Sequence, residues 1–151
     1  MKKFFLQTAA VFSVLFFSVT SAFALADADK PITINELPEP ALTVISQNFA
    51  KHQVALTKME VDLLDRSYNV FFTNGDKLEF DRKGNWTEIS CKKDGVPAAL
   101  VPQAITDYVK SNHPDTKIVK IERENKTYDV NLSNGFEYTF NKHFKVVDVD
   151  R

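Results

Sequence analysis

The second half of this chain echoes the first at a separation of 60 residues. Ile45 returns as Ile105, Tyr68 as Tyr128, Val70 as Val130, Asn74-Gly75 as Asn134-Gly135 and Phe80 as Phe140. Type-conserving pairs lie between them, among them Phe49 with Val109, Val61 with Ile121, Phe72 with Leu132 and Ile89 with Val149. A constant spacing predicts two copies of one supersecondary unit. Each copy alone would be marginally stable, so a shared core or continuous sheet is expected. The echoed residues are of the kinds that build cores and turns, and they contain no catalytic constellation.

Within each copy the apolar period changes. Leu42, Ile45 and Phe49 recur at helical spacing after Leu37-Pro38. Val96-Pro97 is followed by Leu100, Val101, Ile105, Tyr108 and Val109. Proline suits a first helical turn, where its missing N–H leaves no orphan. The period then becomes two. Met59, Val61 and Leu63 alternate with charges, Asp65-Arg66-Ser67 turns, and Tyr68, Val70 and Phe72 form a second strand. Asn74-Gly75 is a hairpin signal because both residues accept positive φ. Leu78 and Phe80 follow, then a turn into a fourth strand, Trp86 to Cys91. The expected fold class is α+β: two tandem helix-plus-four-stranded antiparallel meander repeats with the helices on one sheet face. The expected boundaries are a signal peptide over 1–26, a lead-in over 27–36, repeats over 37–91 and 96–151, and a linker over 92–95.

The signal peptide is read from Met1-Lys2-Lys3, the apolar run Phe4 to Phe23, and the small residues of Ala22-Phe23-Ala24 and Ala24-Leu25-Ala26. Export to the periplasm and no membrane attachment after cleavage are expected. Removing Lys2 and Lys3 leaves 17 basic against 20 acidic side chains, lowering the formal charge from −1 to −3. No basic stripe is present, which argues against nucleic acid as a partner. A single cysteine, Cys91, cannot form an internal disulfide.

The Leu37-Pro38 and Val96-Pro97 starts, the Tyr-x-Val strands at 68–70 and 128–130, and the two Asn-Gly turns resemble those of the PepSY-like family of β-lactamase-inhibitor-like exported proteins. The stretch Leu78-Glu79-Phe80-Asp81 with Gly84-Asn85-Trp86 carries the likeness most clearly, and it covers residues 37–150. The resemblance implies a helix-plus-sheet fold like that of the tandem β-lactamase inhibitory protein, together with an exported location. β-Lactamase and peptidase enter as candidate targets on the resemblance alone. Repeat two departs from the pattern at Phe144-Lys145-Val146.

No GxSxG, HExxH, Cys–His or glycine-rich phosphate motif occurs, so neither enzyme activity nor a cofactor is expected. His52, His113 and His143 lack a second ligand at metal-binding spacing, and a helix C-terminus favours histidine anyway. Asp81, with Asn85 and Glu88, is a weak metal candidate in a loop too short for an EF-hand. Trp86 is the stronger lead. Strict alternation from Ile89 puts Trp86 and Glu88 on the sheet face the helices leave open, and Phe71 is out of phase with Val70 and Phe72. The expected function is a non-catalytic protein-interaction module that binds an unidentified protein partner, such as an exported enzyme. Trp86 and Phe71 would be its anchors, and Glu60, Lys77, Glu79 and Glu88 would set the charge pattern. The plain alternative for Trp86 is packing at the repeat junction. The alternative function is a calcium-responsive or small-ligand-binding periplasmic protein.

Overall fold

The computed structural model describes residues 29–151, so the expected signal peptide lies outside the described residues. Strand β1 (Lys30–Ile32) and a 3₁₀ turn (Ile34–Glu36) precede helix α1 (Glu39–Asn48). Strands β2 (Val54–Asp62), β3 (Asp65–Phe72), β4 (Lys77–Phe80) and β5 (Trp86–Ser90) follow. A second 3₁₀ turn (Ala98–Leu100) leads into helix α2 (Gln103–Asn112). Strands β6 (Ile118–Glu124), β7 (Thr127–Leu132), β8 (Glu137–Asn141) and β9 (Val146–Asp150) come next.

The nine strands of the described residues form one sheet in the order β1 to β9, every neighbouring pair antiparallel. This overturns the expected division into two helix-plus-four-stranded meanders. Glu88–Ser90 of β5 pair with Lys120–Glu122 of β6, so hydrogen bonding runs through the middle without a break. β1 adds a strand that the expected units did not contain.

The single spacing of 60 is corrected too. α1 begins at Glu39 and α2 at Gln103, a separation of 64. Buried Leu37, Ala41 and Ile45 therefore correspond to Val101, Ile105 and Val109, not to residues 60 further on. The difference of four residues is absorbed in one hairpin. β2 and β3 are nine and eight residues long, against seven and six for β6 and β7. The longer hairpin turns at Leu63-Leu64, not at Asp65-Arg66-Ser67, and leaves those leucines 71% and 92% exposed.

Residues directly opposite one another in a ladder share a face. One row runs Val70, Leu78, Ile89, Ile121, Val130, Tyr138 across β3 to β8. Tyr68 and Phe80 extend it on β3 and β4. Ala41, Ile45, Phe49, Ile105 and Val109 from the helical segments join these residues in a single core cluster, with Leu42, Leu100 and Tyr128 packed at its margin. Burying a large aliphatic side chain contributes about 1.5–3 kcal/mol, so a row of such pairs fixes the register of the sheet.

The helices begin where proline permits. Pro38 and Pro102 occupy the N-caps, and Pro40 lies in the first turn of α1. In the Asn74-Gly75 turn only the glycine adopts positive φ, at 92°. Asn74 instead uses its side chain, whose Oδ1 accepts the Asp76 N–H at 3.1 Å. The β4–β5 turn packs beneath the start of α1. A Cβ on Gly84, itself at φ 84°, would stand 2.8 Å from Pro38 Cβ and 3.0 Å from the Ala41 nitrogen.

Gly84→Ala should therefore lower stability by about 2–4 kcal/mol, since left-handed strain and steric overlap act together. Gly75→Ala, with nothing within 4 Å of the added atom, should cost only about 1–2 kcal/mol of left-handed strain. Urea denaturation of the two variants checks the difference.

Candidate functional site

The face opposite the helices carries a charged lattice. Along one row Lys58, Asn69, Glu79, Glu88, Glu122, Asp129, Thr139 and Asp148 stand opposite their neighbours from β2 to β9. The adjacent row reads Leu56, Phe71, Lys77, Ser90, Lys120, Asn131, Glu137 and Asp150. Like charges directly opposite would repel. Lysines offset this at the centre. Lys77 Nζ lies 3.2 Å from Glu79 and 3.6 Å from Glu88, while Lys120 Nζ lies 3.3 Å from Glu88 and 2.9 Å from Glu122. Burial alone would lower the Lys120 pKa, but the hydrogen bond to Glu122 and the charges of Glu88 and Glu122 outweigh it and hold the ammonium above its ordinary value.

Five of the six residues expected to form the surface are on this face. Lys77, Glu79 and Glu88 belong to the central network. Phe71, half-buried, stands between Leu56 and Lys77, and Glu60 lies opposite Ser67 towards the β2–β3 hairpin. Sequence reasoning missed Lys120 and Glu122, which bracket Glu88 from β6. The alternation Lys120-Ile121-Glu122 was visible, but nothing showed that it would pair with Glu88–Ser90.

Trp86 is the exception. It is 8% exposed, stands opposite Phe80 and belongs to the core cluster. The cause is a β-bulge. Glu79 pairs with Glu88 and Phe80 with Trp86, so Thr87 is an extra residue and the side-chain phase reverses after it. Strict alternation had assigned Trp86 to the wrong face. Arg123 holds it there, donating Nε–H to the Trp86 carbonyl at 2.6 Å with its guanidinium carbon 4.1 Å from the ring centroid.

Asp81 is committed to its own turn. Oδ1 accepts the backbone N–H groups of Lys83 and Asn85, and Oδ2 accepts the Asn85 side-chain amide. Burial works to raise its pKa, but these hydrogen bonds prevail and hold the carboxyl below its usual range. Among the described residues no group of three or more His, Cys, Asp or Glu side chains is placed to hold a metal ion. His52 Nε2 lies 3.5 Å from buried Asp76, and His113 Nε2 lies 2.6 Å from the Tyr138 hydroxyl. Cys91 is buried, and burial first, then the charge of Asp76 and a hydrogen bond to it, push its thiol up to about 12. A thiol held neutral in this way is a poor nucleophile.

The family described as "Putative beta-lactamase-inhibitor-like, PepSY-like" matches residues 66–148. The chain belongs to this family. It is 55% identical to a protein of the DUF2874 family from Bacteroides vulgatus ATCC 8482, named a putative periplasmic protein; 83% of this chain and 99% of that one align, with a TM-score of 0.81. It is 50% identical to a protein from Bacteroides thetaiotaomicron named a putative calcium-regulated periplasmic protein, over 82% of this chain and 97% of that one, with a TM-score of 0.80. A second Bacteroides vulgatus ATCC 8482 protein, named a putative periplasmic protein of unknown function, is 39% identical over 82% of this chain and 100% of that one, with a TM-score of 0.77. Among curated proteins none matches. The fold of this PepSY-like chain is thus shared with relatives that carry periplasmic names. Its uncovered face offers charged and amide groups in register around a small apolar margin.

Two outcomes are expected from this geometry. Trp86→Ala should cost about 3–5 kcal/mol in chemical denaturation, the loss typical of a buried aromatic. The Cys91 thiol is more easily kept neutral in the folded chain than in the unfolded one. Its contribution is therefore intact below the ordinary pKa of 9.0 and declines as pH rises from there towards about 12. Stability measured across that range should fall more steeply for the native chain than for Cys91→Ala.

Proposed function

We propose that this PepSY-like protein acts after export, in the periplasm, as a non-catalytic module that binds a protein partner on its uncovered sheet face. The observation that carries this reading is the lattice of Lys77, Glu79, Glu88, Lys120 and Glu122 beside Phe71. Its charges interlock across three strands on a surface that no other element covers among the described residues. Such an array fixes orientation and excludes wrongly charged partners more than it supplies affinity. The apolar anchors are Phe71 and Leu56, which take the place expected of Trp86. Leu56 is 38% exposed and Phe71 stands directly opposite it. An inhibitor-like action follows from the family resemblance alone.

A calcium-responsive protein is the second reading, favoured by the name of the relative that is 50% identical. Asp81 fits it poorly, because both carboxylate oxygens already accept hydrogen bonds from the turn.

A photo-crosslinking residue at Ser90, in the centre of the face, should capture a periplasmic protein that the same residue at Ser46, on the exposed side of α1, does not. Phe71→Ala should reduce the adduct about tenfold, as loss of an interface anchor does, with the circular dichroism spectrum unchanged. Equal capture from both positions, or none from Ser90, would refute the proposal. Calcium binding by calorimetry that is abolished in Asp81→Asn would favour the second reading instead.

A further inference from the structure

We infer that strand β9 is a docking edge for an extended segment of a partner in which basic and apolar residues alternate. The inference rests on the protein-binding reading and specifies the chemistry of what is bound. A sheet of nine strands in sequence order has two edges, and they differ. β1 is three residues long and contains Pro31, which cannot donate to a further strand. β9 has five residues and no proline. Its outer backbone groups have no neighbouring strand among the described residues.

The side chains around β9 say what an added strand must carry. The outward residues of β7, β8 and β9 on the uncovered face include Asp129, Glu137, Asp148 and Asp150 and no lysine or arginine. Asp129 is bonded by Thr139 and Glu137 by Asn131. Asp148 and Asp150 have no hydrogen-bond or ion-pair partner among the described residues. The balanced charges of β4 to β6 thus give way to an acidic margin. The other side of β9 is apolar: Val149 faces Tyr138 and Val146 faces Phe140. Val147, the extra residue of a second bulge, is 58% exposed, and Val149 is 46% exposed. An incoming strand would set basic side chains beside Asp148 and Asp150, and apolar ones beside Val146 and Val149.

A second copy of the chain is disfavoured in the registers that pair the acidic end of β9. Antiparallel registers of two β9 strands centred on Asp148, Val149 or Asp150 all place an aspartate opposite an aspartate, which is unfavourable. The carboxylates that keep two copies apart are the ones that admit a basic strand.

The test uses the isotope-labelled protein with a capped peptide of alternating lysine and valine. Amide shifts and slowed hydrogen exchange should be confined to β8 and β9, leaving β1 unaffected. Asp148→Lys combined with Asp150→Lys should weaken binding about tenfold or more, and a glutamate–valine peptide should then bind in place of the lysine one. N-methylation of alternate peptide amides along the pairing edge should abolish binding, which a purely electrostatic contact would survive. Shifts spread over the lattice or the helices, or equal binding by the charge-reversed protein, would overturn the inference. If that happens while Ser90 still captures a partner, the edge assignment fails and the face reading stands. If the charge swap behaves as expected and Ser90 captures nothing, the edge stands without the face.

Discussion

The pairing of Ile89 with Ile121 is the contact on which the rest of the structure depends. β5 and β6 meet over three residues a side, yet this short seam makes one sheet and one core from two helix-covered stretches. Both isoleucines are fully buried, each contributing about 1.5–3 kcal/mol. On the reverse side of the same seam the partly buried Glu88 and Lys120 form an ion pair, whose attraction is largely offset by the cost of desolvating both charges. Apolar burial therefore holds the seam. The ion pair gives the opposite face its pattern of charges.

The two faces are assigned by where the strands gain a residue. A bulge at Thr87 turns Trp86 inward beside Phe80, and an equivalent one at Val147 turns Val146 towards Phe140. Without them each strand start would present its large side chain to the charged face. The bulges thus keep the core continuous to the ends of β5 and β9. They also leave the uncovered face almost wholly polar, with Phe71 and Leu56 as its apolar margin.

Much of this was legible in the sequence. The switch from helical to alternating period, the Asn-Gly turns and the Leu37-Pro38 start correspond to observed elements, and the core row through Val70, Leu78, Ile89 and Val130 follows from alternation; Val96-Pro97 opens only the 3₁₀ turn, and α2 starts after Pro102 instead. Three things were hidden for physical reasons. A slip of four residues preserves the parity of a strand and moves a helix by little more than one turn of 3.6 residues. A spacing of 60 and one of 64 therefore produce nearly the same apolar matches, and Ile105 aligns as plausibly with Ile45 as with Ala41, which holds the same place in α1 that Ile105 holds in α2. The Leu63-Leu64 tip went unseen because Leu63 continues the alternation of Met59 and Val61. The phase of Trp86 was hidden more completely, since a bulge inserts one residue and reverses parity without any sequence mark at Thr87. Of the candidate surface, the residues on regular stretches of strand were placed on the correct face. The one beyond the bulge was not.

The strand order has a mechanical consequence. Each strand pairs with its neighbours in the chain, so most contacts close short loops, and folding need not wait for distant segments to meet. The first and last strands lie at opposite margins of the sheet. Tension applied between the two ends would load the outermost ladders one hydrogen bond at a time and open the sheet as a zipper opens, from its margins inward. The Ile89–Ile121 seam, in the middle, would be among the last to yield.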